Sequence, residues 1–271
     1  MPAPNYALRA ARIFSPIDAP IMPPLALLTR PRPDSEILAA LLRERGVASL
    51  IDPVIEILPH EDAQLPKLDE MQALLLTSAN GVRALDRLLG PPPAARQIPL
   101  FAVGPASAEA ARQAGFQNVQ SADGDVGALA ALAKARLDPA GRPLLHVAGS
   151  AVAGDLAGML ERHGFDVHRA RMYEARMRAQ LSPSTQQALA EGKIDMVLFF
   201  SPRSARGFVK LTRAAAIDSA LAQVTAICLS AQVAEVAAEV TWRRVRTAPE
   251  PEQAALLDEV AREINVAEHG R

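Results

Sequence analysis

The sequence predicts an α/β protein of two similar domains, each a parallel sheet with helices on both faces, with a cleft between them. Three observations carry this. First, the chain repeats itself: Gly164 in LERHGF follows Gly46 in LLRERGV at the same separation as Glu174 in MYEA follows Glu56 in VIEI. The repeat continues as LLLTSANGVRAL and LFFSPRSARGFV, matched at Ser78 and Ser201, and as LFAVGPASAEAA and AICLSAQVAEVAA, matched at Glu109 and Glu235. Slightly longer offsets at the connections are what a duplicated βα unit with altered loops leaves. Second, short apolar runs alternate with helical patterns along the chain, as parallel sheets require. Third, 271 residues suit two domains and can bury roughly 70–75 % of their surface, so no disulfide or metal is needed to hold them.

Leu25–Thr29 is the first strand, and Asp34 is placed to cap the helix implied by Ile37, Leu38, Leu41 and Leu42, which Gly46 ends. Val47–Asp52 and Val54–Leu58 read as extended segments split by Pro53, and His60–Glu70 as a linker or short helix. Ala73–Thr77 is a near-continuous apolar strand of the kind buried on both faces. A helix follows to about Leu89, and Gly90-Pro91-Pro92-Pro93 breaks it. Next come a strand at Leu100–Val103, a helix from Ser107 to Ala114, a strand around Val119 and a helix from Val126 to Leu137. From Leu144 the cycle restarts, with a helix ending at Gly164 and separate extended segments at Asp166–Arg169 and Arg171–Ala175. Ser182 caps a helix, strands follow at Asp195–Phe200 and Thr225–Leu229, each with its helix, and Trp242–Arg246 and Glu252–Ile264 are a last strand and an amphipathic helix.

The formal net charge of −1 provides no basic field for nucleic acid. No run approaches the ~18 apolar residues of a membrane span. The single cysteine, Cys228, allows no intrachain disulfide, which suits a reducing, cytoplasmic setting. The five histidines are scattered and form no metal-ligand spacing. His146 reads as a packed strand residue rather than a base, and the others as surface positions. Residues 1–24 mix prolines and arginines without an uninterrupted apolar core. They read as a disordered tail or an overlong start before Met22, with an organellar transit peptide as the rival reading.

In open parallel sheets ligands bind beyond the carboxyl ends of the strands. Those tips carry Arg30, Thr77, Ser78, Asn80, Ser107, Ser150, Ser201, Arg203, Ser204 and Gln232. Nearly all open helices, where unpaired N–H groups and the dipole favour anions; each hydroxyl taken alone is more simply an N-cap, and it is the set of six tips that argues for a site. Dinucleotide, P-loop and nucleophile-elbow motifs are missing from the sequence. Any site therefore works through neutral donors and arginines. Tyr173 stands apart, one of two tyrosines, flanked by Arg171 and Arg176 in an extended segment; a half-buried strand tyrosine is the plainer reading.

Taken in order, LLTRP, LLLTSANGVRAL, FAVGPASAEAARQAGF, LLHVAGS with LERHGFDV and MYEA, and FFSPRSARGF resemble the uroporphyrinogen-III synthase family over about Leu25 to Ile264. The resemblance implies two flavodoxin-like domains joined by two extended crossover strands around a cleft. Domain one would be 25–52 plus 181–271, domain two 68–169, and the crossovers 53–67 and 170–180. It implies a lyase that needs no cofactor or metal and cyclises hydroxymethylbilane to uroporphyrinogen III. Water leaves ring A, ring D attacks through its substituted carbon to give a spiro intermediate, and reclosure inverts the ring. Tyr173 would act at the departing hydroxyl, with the strand-tip residues and arginines on the substrate carboxylates. Ser230-Ala231-Gln232 stands where the family can have Gly-Pro-Thr, which removes a hydroxyl from that turn. A cytoplasmic monomer receiving its substrate from hydroxymethylbilane synthase completes the expectation. A non-catalytic hinge protein that binds a small anionic ligand is the other reading of such a duplicated chain, and an interaction scaffold a third.

Overall fold

The apolar runs Leu25–Leu28 (β1), Ala73–Leu76 (β4), Leu144–Gly149 (β7), Met196–Phe199 (β9) and Thr225–Cys228 (β10) are almost wholly buried. Strands apolar on both sides need cover on both sides and take central places in parallel sheets. The half-polar strands Ala48–Ile51 (β2), Val119–Ser121 (β6) and Arg244–Thr247 (β11) take the edges. One sheet has the order β11-β10-β9-β1-β2 and is wholly parallel. The other adds Ile55–Pro59 (β3), Leu100–Ala102 (β5) and Val167–Met177 (β8), in the order β3-β8-β7-β4-β5-β6. The computed structural model describes residues 23–90, 93–150 and 154–269; the expectations for the leader through Met22 and for Pro91-Pro92 lie outside them.

Helices cover both faces of each sheet. On the first, Leu38 and Leu42 of Arg32–Arg43 (α1) and Leu256, Leu257 and Val260 of Gln253–His269 (α9) close one face. Pro183–Ala190 (α6), Pro202–Ala214 (α7) and Ala231–Ala237 (α8) close the other, around Phe199, Phe208 and Trp242. On the second, Ala79–Leu89 (α2) and Pro105–Gln113 (α3) oppose Val126–Arg136 (α4) and Leu156–Glu161 (α5).

The repeat landmarks have matching conformations. Gly46 and Gly164 both have positive φ, +74° and +85°, as the residue that ends a helix by turning left-handed must. Ser78 and Ser201 both cap, each accepting a hydrogen bond at 3.2 Å, from Gly81 N and Ser204 N. Ser182 does the same for Thr185 N.

Three local expectations are corrected. Asp34 does not cap α1: the helix starts at Arg32 after the N-cap Pro31, with Pro33, its φ preset for a helix, as the second residue, leaving Asp34 inside the first turn. Pro105 likewise opens α3, so Ser107 is buried within the first turn. The segments Asp166–Arg169 and Arg171–Ala175 form one strand, β8. No proline or glycine interrupts it, and it changes partner instead of stopping. Its first half runs parallel to β7 and its second antiparallel to β3.

His146 lies in β7, 3 % exposed, and neither ring nitrogen has a protein partner. Burial, helped by the Arg169 charge, lowers its pKa from the ordinary 6.5 to about 4. The unfolded chain therefore binds this proton more readily than the folded chain between those values. Stability is full above about pH 6.5, declines as pH falls through the window and levels off below about 4, a loss of about 3 kcal/mol from this group. Urea unfolding of His146→Leu should show a flatter pH dependence than wild type between pH 7 and 4; an unchanged slope would show that this histidine does not titrate on unfolding.

Candidate functional site

The carboxyl ends of β4 and β7 and the middle of β8 converge on one side chain. A register shift at Ala148/Gly149 pairs Gly149 with Tyr173 where regular pairing would put Met172. A bulge of this kind re-aims the side chain that follows it. Tyr173 is 8 % exposed, and its hydroxyl lies 2.7 Å from Ser78 Oγ. Ser78 Oγ already accepts from Gly81 N. When it donates to the tyrosine, the phenolic proton is available to a third group. Gly149 is required by contact: a Cβ there would lie 2.9 Å from the ring carbons Cε2 and Cζ of Tyr173. Ser150 holds the same residue through its backbone, with its N–H donating to the Tyr173 carbonyl at 2.8 Å and its hydroxyl at 3.3 Å.

Tyr173 forms part of the wall of a cavity of about 520 Å³ between the start of α1, the strand β3 and the outer face of α2. The wall is rich in cations: Arg32, Arg83, Arg87 and Arg178, with His60, against Glu56. Arg83 donates to Asn80 Oδ1 at 3.0 Å and reaches both carboxylate oxygens of Asp34, at 2.6 and 3.4 Å. This pair joins a helix of the second sheet to a helix of the first. Arg30 stands behind it, 3.7 Å from Asp34, donating to Gln253 and lying 4.3 Å over the Phe200 ring. Burial lowers the Arg30 pKa; Asp34 opposes that shift and Arg83 adds to it. Arg178 pairs with the buried carboxylate of Asp52 and with Glu56.

Of the residues singled out in the sequence, Tyr173 and Asn80 line this cavity; Ser78 reaches it only through its bond to the Tyr173 hydroxyl, and Arg30 stands one layer behind. Thr77 is half-buried beside them. Ser201 and Ser204 bond each other at 2.9 Å at the start of α7, and Arg203 donates to the Ala175 carbonyl of β8 at 2.6 Å. Ser107 and the exposed Gln232 are likewise absent from the lining. Arg83 and Arg87 were not anticipated. Their signal was present: with Asn80 they form an i, i+3, i+7 stripe on one face of the helix after the Thr77-Ser78 tip. Burial pushes the Cys228 thiol up to about 12, so it supplies no thiolate. Among the described residues no cluster of three metal-ligating side chains occurs, and no helix is long and apolar enough to cross a membrane.

The family model for uroporphyrinogen-III synthase HemD matches residues 36–258. The chain belongs to this family. It is 28 % identical over 196 residues to the uroporphyrinogen-III synthase of Chlorobaculum parvum, a match covering 67 % of this chain and 76 % of the relative. To the porphyrin biosynthesis protein HemD of Ruminiclostridium josui it is 24 % identical over 228 residues, covering 81 % of this chain and 44 % of that longer protein. The crystal structure of uroporphyrinogen-III synthetase from Helicobacter pylori superposes with a TM-score of 0.57 at 20 % identity, over 88 % of this chain and 98 % of that one. That likeness establishes a shared fold. The reading as a non-catalytic anion binder is not favoured by these matches.

In this uroporphyrinogen-III synthase family member the Gly149–Tyr173 contact makes a sharp expectation. Gly149→Ala should push the ring off Ser78 and lower synthase activity roughly 10²-fold, while far-ultraviolet circular dichroism stays that of the wild type. Full activity would show that the close approach does not position the tyrosine.

Proposed function

We propose that this chain closes hydroxymethylbilane to uroporphyrinogen III, with loss of water and inversion of ring D, as a cofactor-independent hydro-lyase of haem biosynthesis. The observation that carries the reading is the Tyr173–Ser78 pair on a cavity walled by arginines. Water leaves the hydroxymethyl group of ring A to give an azafulvenium cation. Tyr173 donates a hydrogen bond to the departing oxygen, and Ser78, donating to Tyr173, keeps that proton directed at it. The substituted carbon of ring D attacks, and the spiro intermediate fragments and recloses.

Cyclisation without inversion, to the type I isomer, needs no catalyst, so the protein chiefly selects a geometry by holding a flexible polyanion. The arginines of the cavity suit the acetate and propionate carboxylates of the substrate. Arg30, Thr77, Asn80 and the helix-start residues Ser107, Ser150, Ser201, Arg203, Ser204 and Gln232 are proposed as further or indirect carboxylate contacts as the cleft opens and closes. The division into 25–52 plus 181–271 and 68–169, with crossovers at 53–67 and 170–180, is supported by sheet membership, since β1, β2 and β9–β11 share one sheet and β4–β8 the other. A cytoplasmic monomer taking substrate directly from hydroxymethylbilane synthase fits the same reading.

Freshly made hydroxymethylbilane, quenched with acid, oxidised and separated into type I and type III uroporphyrin, tests it. Type III in excess of the protein-free control is expected, and Tyr173→Phe should lower its rate roughly 10²-fold with the fold intact. Type I alone from folded wild-type protein would overturn the function; an unchanged rate in Tyr173→Phe would remove the tyrosine from the mechanism.

A further inference from the structure

The carboxylate that occupies Arg83 on the cavity wall belongs to the protein itself. Arg83 uses both ends of its guanidinium fork on Asp34, the geometry in which arginine recognises a carboxylate. Asp34 is also shared: Arg30 lies 3.7 Å from the same carboxylate oxygen that Arg83 bonds, so two cations meet one anion. One helical turn beyond Arg83, Arg87 lines the same cavity and has no hydrogen-bond or ion-pair partner among the described residues. Asn80, Arg83 and Arg87 therefore form a ladder with rungs about 5–6 Å apart, one rung of which is held by an internal carboxylate. The side chain holding it is chemically apt, because an aspartate side chain is a –CH₂–COO⁻ group, the same as an acetate substituent on a pyrrole ring.

We propose that Asp34 is an internal stand-in for a ligand acetate: it holds Arg83 until a carboxylate of an entering polycarboxylated tetrapyrrole displaces it. The inference rests on the proposed function and specifies how that site receives its substrate. Because Asp34 sits on α1 and Arg83 on α2, the exchange removes a tie between the two sheets as it makes a contact to the ligand. Arg83 is then a specificity-determining residue, and Asp34 a competitor that sets how readily weakly charged ligands are excluded. Loss of a negative charge favours a polyanion even at a merely structural ion pair, but that gain would persist without Arg83, whereas the gain from exchange requires it, so tightening by Asp34→Asn in the Arg83→Gln background overturns the exchange.

The test uses the full chain and uroporphyrin III, whose eight carboxylates mimic the product, titrated by fluorescence at low ionic strength, where surface charge effects are largest. Asp34→Asn should tighten binding about threefold to tenfold, Arg83→Gln should weaken it about tenfold, and adding Asp34→Asn to Arg83→Gln should bring no tightening. A folded Asp34→Asn protein that binds uroporphyrin no more tightly than wild type overturns the proposal. Should Asp34→Asn fail to fold, Arg83→Lys decides: it keeps the charge without the fork, and affinity equal to wild type overturns the proposal while a loss of about threefold supports it. Wild-type protein that binds no uroporphyrin and makes no type III isomer overturns both this inference and the proposed function. Wild type that makes type III while the variants bind alike overturns the exchange alone.

Discussion

The arrangement depends on one strand serving two neighbours. β8 is parallel to β7 for its first half and antiparallel to β3 for its second. The β3–β8 ribbon is apolar on the side that matters: Ile57 and Ala175 pack against the core of the first sheet and against that of the second. A strand buried along its middle, at Ala170, Met172 and Tyr173, cannot slide by one residue without turning its apolar set outward, so the ribbon holds the two sheets in register. Polar groups reinforce the first-sheet end. The buried Asp52 carboxylate accepts from Ser182 N at 2.8 Å and pairs with Arg178, and Arg203 grips the Ala175 carbonyl. Tyr173 sits where β8 changes partner, so its position is set by this ribbon as much as by Ser78.

Two groups of charges in the chain behave differently, and burial separates them. Near the C-terminus, Glu263 and Glu259 of α9 are nearly buried and surrounded by Arg243, Arg244, Arg246 and Arg262. Burial works against the Glu263 charge, but hydrogen bonds from Arg246, Thr225 and Arg244 hold its pKa below the usual carboxylate range. Every acid there is surrounded by donors, and the cluster fastens α9 to β10 and β11. At the cleft the acids are not enclosed in this way. Glu56 is the one acid on a cavity wall that carries Arg32, Arg83, Arg87 and Arg178, and the Arg87 side chain is left without an ion-pair partner among the described residues, the pattern of a surface prepared for an anionic ligand.

Much of this was legible because it is written in local chemistry. The strands β1, β4, β9 and β10 announce themselves as uninterrupted apolar runs, and Ser78, Ser182 and Ser201 as caps ahead of helical periodicity. Tyr173 stood out by rarity and flanking arginines. What escaped depends on distant contacts. The continuity of β8 is invisible locally because its pattern changes when its partner changes, and the bulge that aims Tyr173 involves a residue pairing over β7. With Pro33 and Pro105 in their first turns the helices start earlier, capped at Pro31 and Gly104, which demotes Asp34 and Ser107 from caps. Arg83 and Arg87 look like an ordinary solvated helix face until β3 is placed across from them.

The interleaving of the two sheets also sets an order in which the chain can become protein. β4 to β8 are contiguous, and with β3 just before them the second sheet can close as soon as Met177 has been made. The first sheet cannot. Leu25 N donates to the carboxylate of Asp195, 170 residues further on, and β1 pairs directly with β9. At ordinary rates of synthesis that separation is a wait of roughly 10–30 s, during which β1, β2 and α1 have their apolar faces uncovered. A part of the molecule made well before β9 is thus among the last to be buried, and the finished second sheet must hold it nearby, through β3, until the rest of its own sheet arrives.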